Sequence, residues 1–191
     1  MSTPRYDQAQ AFGGVIDVLE AVGAVYAIWG GLAVVAYGEP RFTQDMDVLL
    51  RGDGFPASLF VRRLRETHYH VDERAVASAL TDNGFFNVIH LHYAIKVDFY
   101  VPHEFDLRAM IAERVYLPFD NMRRAAYVTA EGVVAAKLRA YMDSGSTRHL
   151  DDIASIIRVQ GARLDQRRLE HRAAQLGCFG VWRALWEENR G

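Results

Sequence analysis

The chain has 191 residues, half of them hydrophobic, with 24% charged residues and a formal net charge of −2. That length suffices for one substantial core with a helical appendage, and the near-neutral balance excludes the strong positive field of a general nucleic-acid binder. Cys178 is the single cysteine, which excludes an intrachain disulfide framework and a cysteine-based zinc knuckle and suits a reducing compartment. No apolar run reaches membrane-spanning length, and Met1 to Gln10 lacks a signal-peptide core, so the expectation is a soluble cytoplasmic protein with no membrane partner.

Apolar residues recur at helical spacing between Ala9 and Val22, and Gly23 follows where a helix commonly ends. Tyr26 to Trp29 reads as a short buried strand, broken by Gly30-Gly31, before a short apolar helix from Leu32 to Tyr37. Asp45 to Leu50 is a second strand after a polar loop, closed by Gly52-Asp53-Gly54, and Pro56 to about Thr67 is helical. Phe86 to His92 and Ile95 to Val101 are rich in β-branched and aromatic residues, which predicts an antiparallel hairpin turning at Tyr93-Ala94 and hence a mixed sheet. From Thr129, a plausible cap, the pattern turns helical: one helix to about Met142, a Ser-Gly-Ser turn, a second from about His149 to Val159, and one or two more. The expected class is therefore α/β of the α+β type, a mixed-sheet core over residues 1–128 followed by a helical region over 129–191 packed on it.

Residues two apart on a strand point to one face, so Asp45 and Asp47 project together while Met46 and Val48 turn toward the core. Their like charges call for a cation, a basic partner or open water, and a divalent metal meets that need. Asp98 is a third candidate, sharing its strand face with Lys96 and Tyr100 opposite the apolar set Ile95, Val97, Phe99 and Val101. Three such carboxylates can hold magnesium by oxygen ligation and leave positions for phosphate oxygens and water. Gly30-Gly31, between strand and helix, lets backbone N–H groups approach an anion beside a helix amino terminus.

Trp29-Gly30-Gly31, thirteen intervening residues and then Asp45-Met46-Asp47-Val48-Leu49-Leu50 resemble the signature of the DNA polymerase beta-type nucleotidyltransferase superfamily. Lys96-Val97-Asp98-Phe99 is similar to the strand bearing that family's third acidic residue. Arg41-Phe42-Thr43-Gln44-Asp45-Met46-Asp47 resembles small bacterial members that include abortive-infection toxins and antibiotic nucleotidyltransferases. Lys137-Leu138-Arg139-Ala140 and Arg148-His149-Leu150-Asp151-Asp152-Ile153 resemble the helical motif of the toxin-like members.

The resemblance implies transfer of a nucleoside monophosphate from a nucleoside triphosphate, with ATP among the donors, to an acceptor hydroxyl, releasing pyrophosphate. It implies Mg2+, or Mn2+, held by Asp45, Asp47 and Asp98, with Asp98 also helping to deprotonate the acceptor. Gly30, Gly31, Arg41, Thr43, Lys137 and Asp152 are the implied nucleotide-binding residues. The acceptor stays open among transfer RNA, protein and small molecule, and the toxin-like members bring an antitoxin partner into the expectation. The competing expectation is a catalytically silent protein of the same fold that binds nucleotide or a partner as a regulator.

Other features read more simply as structure. His90 and His92 share a strand face but lack a clear third ligand. Cys178 reads as a packed small residue, and Trp182 with Trp186, four apart, as the anchor of the last helix.

Overall fold

The computed structural model describes residues 4–82 and 84–191, with side chains from residue 8 onward apart from residue 83. The chain forms two compact units, one built from the chain up to Trp29 together with Thr43–Val128, the other from Gly30–Phe42 with Thr129–Gly191. Among the described residues no helix is long and apolar enough to cross a membrane.

The first unit is built on a mixed sheet. Its strands are β1 (Tyr26–Trp29), β2 (Met46–Leu50), β3 (Tyr69–Val71), β4 (Phe85–His90), β5 (Ile95–Tyr100), β6 (Val115–Pro118) and β7 (Arg124–Tyr127), in the order β3-β4-β5-β2-β1-β7-β6. β2 runs parallel to β5 and β1 parallel to β7, while the remaining neighbours are antiparallel. Helices α1 (Pro4–Ala21), α3 (Ala57–Arg65), α4 (Glu73–Asp82) and α5 (Phe105–Ala112) belong to the same unit. The expected mixed sheet and the β4–β5 hairpin are present. The turn, however, takes residues 91–94, so His92 lies outside the strand and shares no strand face with His90.

Strand alternation sorts this sheet into two chemically opposite faces. Met46, Val48, Val97 and Phe99 are fully or almost fully buried, and Phe60 of α3 packs edge-on against Phe86 and Phe99, which themselves stack at 4.7 Å. Tyr69 ties this core to α1 by donating its hydroxyl to the Ala11 carbonyl at 2.6 Å. Short elements such as the three-residue β3 and the four-residue β6 and β7 carry too few residues for a periodicity to stand out.

The second unit is helical, comprising α2 (Gly30–Tyr37), α6 (Ala130–Ser144), α7 (Arg148–Gln160), α8 (Gln166–Gln175) and α9 (Phe179–Asn189). Thr129 caps α6 as its residue type predicts, its hydroxyl accepting from the Gly132 N–H at 3.2 Å. Gly145, in the Ser-Gly-Ser turn, ends that helix in the left-handed conformation at φ 69°. α7 buries Ile153, Ile156 and Ile157, and α2 packs against α6 and α7. At the end of α2, Ser155 Oγ accepts from the Glu39 N–H at 2.6 Å, and a β-carbon at Gly38 would run into that hydroxyl. Trp182 and Trp186 are buried with ring centroids 5.5 Å apart, and Cys178 is buried as a small packed residue.

Candidate active site

On the second face of the sheet the central strands bring carboxylates together. Asp47 of β2 and Asp98 of β5 are register partners, as are Trp29 of β1 and Asp47. Register partners on adjacent strands show their side chains to the same face, so these two carboxylates are neighbours. Asp45 lies one residue before β2 rather than in it, because the β2–β5 ladder ends at Met46 and Val97. Its loop is held by Gln8 of α1, whose amide donates to the carbonyls of Thr43 at 2.7 Å and Gln44 at 3.0 Å. Thr43 Oγ1 in turn donates to the Asp45 carbonyl at 3.4 Å. Nothing in the sequence pattern marks Gln8 for this work, since its partners are backbone atoms 35 and 36 residues away.

The electrostatics of the neighbouring groups register all three acids. The Tyr100 hydroxyl is pushed above the usual tyrosine range, first by burial and then by the charges of Asp47, Asp98 and Asp45, with Lys96 partly opposing. Lys96 is pushed above the usual lysine range by its hydrogen bond to Asp98 and by the charges of Asp98 and Asp45, against a smaller effect of burial. Its Nζ lies 2.7 Å from Asp98 Oδ2. Asp98 is only 6% exposed, and its other oxygen, Oδ1, is buried with no hydrogen-bond partner among the described residues. An aromatic wall stands beside these acids, with Trp29 edge-on to Tyr100 at 5.3 Å and Phe85 tilted against Tyr100 at 5.2 Å.

Among the described residues no group of three or more His, Cys, Asp or Glu side chains is drawn together as a metal cage. Magnesium does not need one: it is commonly held by one or two carboxylates, with water and substrate phosphates filling the remaining positions. A buried carboxylate oxygen without a partner among the described residues, beside a second carboxylate in register, fits a hard divalent cation.

The remaining sequence-predicted residues fall in the second unit, apart from Thr43. Gly30 opens α2 directly, at φ 62°, so the turn expected before Leu32 is absorbed into the first helical residues. A positive φ of that size favours glycine strongly over any residue with a β-carbon. Arg41, Lys137 and Asp152 converge on one another. Asp152 is 3% exposed and receives Lys137 Nζ at 2.8 Å on Oδ2 and Arg41 Nε at 2.8 Å on Oδ1, with Arg41 Nη2 donating to Oδ2 at 3.2 Å. The Arg41 Nε contact is an ion pair out of line for a hydrogen bond. His149 is held below the usual histidine range, first by burial and then by the charges of Lys137 and Arg148, with Asp152 opposing.

No family model matches the sequence, and no curated protein matches it. Solved structures do. The solution structure of the antibiotic-resistance factor ANT(2'')-Ia is 13% identical with a TM-score of 0.61, over 96% of this chain and 97% of that one. The crystal structure of ANT(2'')-Ia in complex with adenylyl-2''-tobramycin is 14% identical with a TM-score of 0.59, over 90% and 97%. An antigenic nucleotidyltransferase-like protein from Paracoccidioides brasiliensis is 17% identical with a TM-score of 0.57, over 93% of each chain. The chain has the nucleotidyltransferase fold, a mixed-sheet unit joined to a helical one.

Proposed function

We propose that this chain is a metal-dependent nucleotidyltransferase that moves a nucleoside monophosphate from a nucleoside triphosphate to an acceptor hydroxyl. The observation that carries the reading is the in-register pair Asp47 and Asp98, with Asp98 Oδ1 buried and unpartnered among the described residues. Asp45, Asp47 and Asp98 would hold Mg2+ or Mn2+, which when bound offsets triphosphate charge and stabilises the leaving pyrophosphate. Asp98 would take the proton of the acceptor hydroxyl as the acceptor oxygen bonds the α-phosphorus and the bond to the bridging oxygen breaks, releasing pyrophosphate. Gln8 and Thr43 set the loop that presents Asp45. Gly30, Gly31, Arg41, Lys137 and Asp152 are proposed as nucleotide contacts, with Lys137 and Arg41 together exceeding the charge of Asp152 by one.

The adenylylated tobramycin held by one structural neighbour supports ATP as a donor and a small hydroxylated molecule as an acceptor to try first. RNA and protein acceptors, and an antitoxin partner, follow from the resemblance of the motifs to the toxin-like members. A second reading, a silent nucleotide-binding regulator, draws on one observation: the Lys96 ammonium already sits on Asp98. The deciding experiment supplies each labelled triphosphate with magnesium, then an aminoglycoside or cell extract separated into RNA, protein and small molecules. Pyrophosphate release with label in one fraction is the expected result. Magnesium-dependent triphosphate binding with no pyrophosphate from any donor establishes the silent reading instead.

A further inference from the structure

Among the described residues, Asp98 is satisfied on one side only. Lys96, two residues earlier on β5 and on the same face, folds along the strand to place Nζ 2.7 Å from Oδ2, while Oδ1 stays buried and unpartnered. The two side chains differ sharply in freedom: that of Asp98 is 9% exposed and that of Lys96 is 40% exposed. A lysine stem has four rotatable bonds and a compact, strongly hydrated charge, so an ammonium half in water can leave a carboxylate without moving the backbone. The carboxylate on its central strand cannot follow. Both Asp98 and Asp45 act electrostatically on Lys96, so one ammonium faces two carboxylates.

We propose that Lys96 is the internal counter-cation of this carboxylate group, holding Asp98 Oδ2 in the metal-free protein and competing there with a divalent cation. The inference rests on the functional reading above and adds a regulating residue to it. An ammonium and a divalent cation at one carboxylate repel each other, so metal entry drives Lys96 outward, and removing its charge strengthens metal binding. Lys96 thus weakens the resting affinity for free metal and favours loading when phosphate oxygens arrive with the cation to receive the displaced ammonium.

The test compares wild type with Lys96→Gln and Lys96→Arg by calorimetric titration with Mg2+ and with Mn2+, without nucleotide, and by thermal unfolding in EDTA and in excess metal. Lys96→Gln should bind metal about tenfold more tightly, a change of roughly 1.4 kcal/mol, and melt below wild type in EDTA but not in metal. Lys96→Arg should follow wild type. Lys96→Met, which keeps the apolar stem, replaces Lys96→Gln if the latter does not fold. Metal binding in the variant only, below detection in wild type, supports the inference. Equal or weaker metal binding in the neutral variant overturns it, and absence of metal binding in every protein overturns it together with the functional reading. Tighter metal binding without nucleotide transfer by wild type leaves the inference standing and removes the functional reading alone.

Discussion

Two charge clusters, one in each unit, have opposite composition. In the first, the Lys96 ammonium pairs with Asp98 and feels the charge of Asp45, Asp47 stands in register beside Asp98, and among the described residues one oxygen of Asp98 has no hydrogen bond. In the second, one buried carboxylate, Asp152, serves both Arg41 and Lys137. Among the groups named, acids outnumber cations in the first cluster and cations outnumber the acid in the second. Burying unbalanced charge is costly unless a partner completes it; under the proposed function a cation would do so in the first and an anion in the second. The comparison also separates two ways of handling an acid: Asp98 is held loosely by one flexible cation, Asp152 tightly by two.

The largest expected effect comes from breaking the acidic cluster at its buried member. Asp98→Asn should lower single-turnover transfer by about 100-fold to 10,000-fold, the usual worth of general-base assistance, with further loss if metal placement suffers. Calorimetry on the same preparation should find magnesium–triphosphate binding largely intact, whereas Asp45→Asn combined with Asp47→Asn should weaken both. Transfer at the wild-type rate by Asp98→Asn would make Asp98 a structural strand residue.

Breaking the second cluster should act on stability first. Asp152→Asn leaves Arg41 and Lys137 facing each other without their shared carboxylate, and losing one partner of a buried ionic group costs about 3 kcal/mol. The cost should be somewhat less here because the Arg41 side chain is 26% exposed. The midpoint of urea unfolding measures it, and an unchanged midpoint would mean that the three groups are independently solvated. Lys137→Gln should cost less, since Arg41 still pairs Asp152.

The smallest effect sharpens the sign of that cluster. His149 lies below the usual histidine range in the folded protein, through burial and the charges of Lys137 and Arg148. The unfolded chain therefore takes up its proton first as pH falls, so His149 contributes a loss of stability below about pH 6.5, the unperturbed value, and none above it. Lys137→Met should raise the His149 titration midpoint, read from its imidazole NMR signals, while Asp152→Asn should lower it. Opposite movement in either variant would mean that the charge around His149 is not the one described.

Periodicity and residue type alone determined the elements with strong local signals. The strand Tyr26–Trp29 was legible because four apolar residues stop at glycine, and the cap of α6 because Thr129 has a hydroxyl at the right step before Gly132. The shared face of Asp98, Lys96 and Tyr100 was legible as well, since strand alternation is a local property. Where a side chain's partner lies far along the chain, local reading stops. That Asp47 stands beside Asp98, 51 positions later, is decided by the parallel pairing of β2 with β5. The grip of Gln8 on the loop before Asp45, the meeting of Arg41 with Asp152, and the packing of α2 against α6 and α7 are likewise tertiary facts. Local sequence determines which way a side chain faces because backbone geometry repeats over two or four residues; which other side chain it meets depends on long-range pairing, whose free energy is decided only when the whole core is buried.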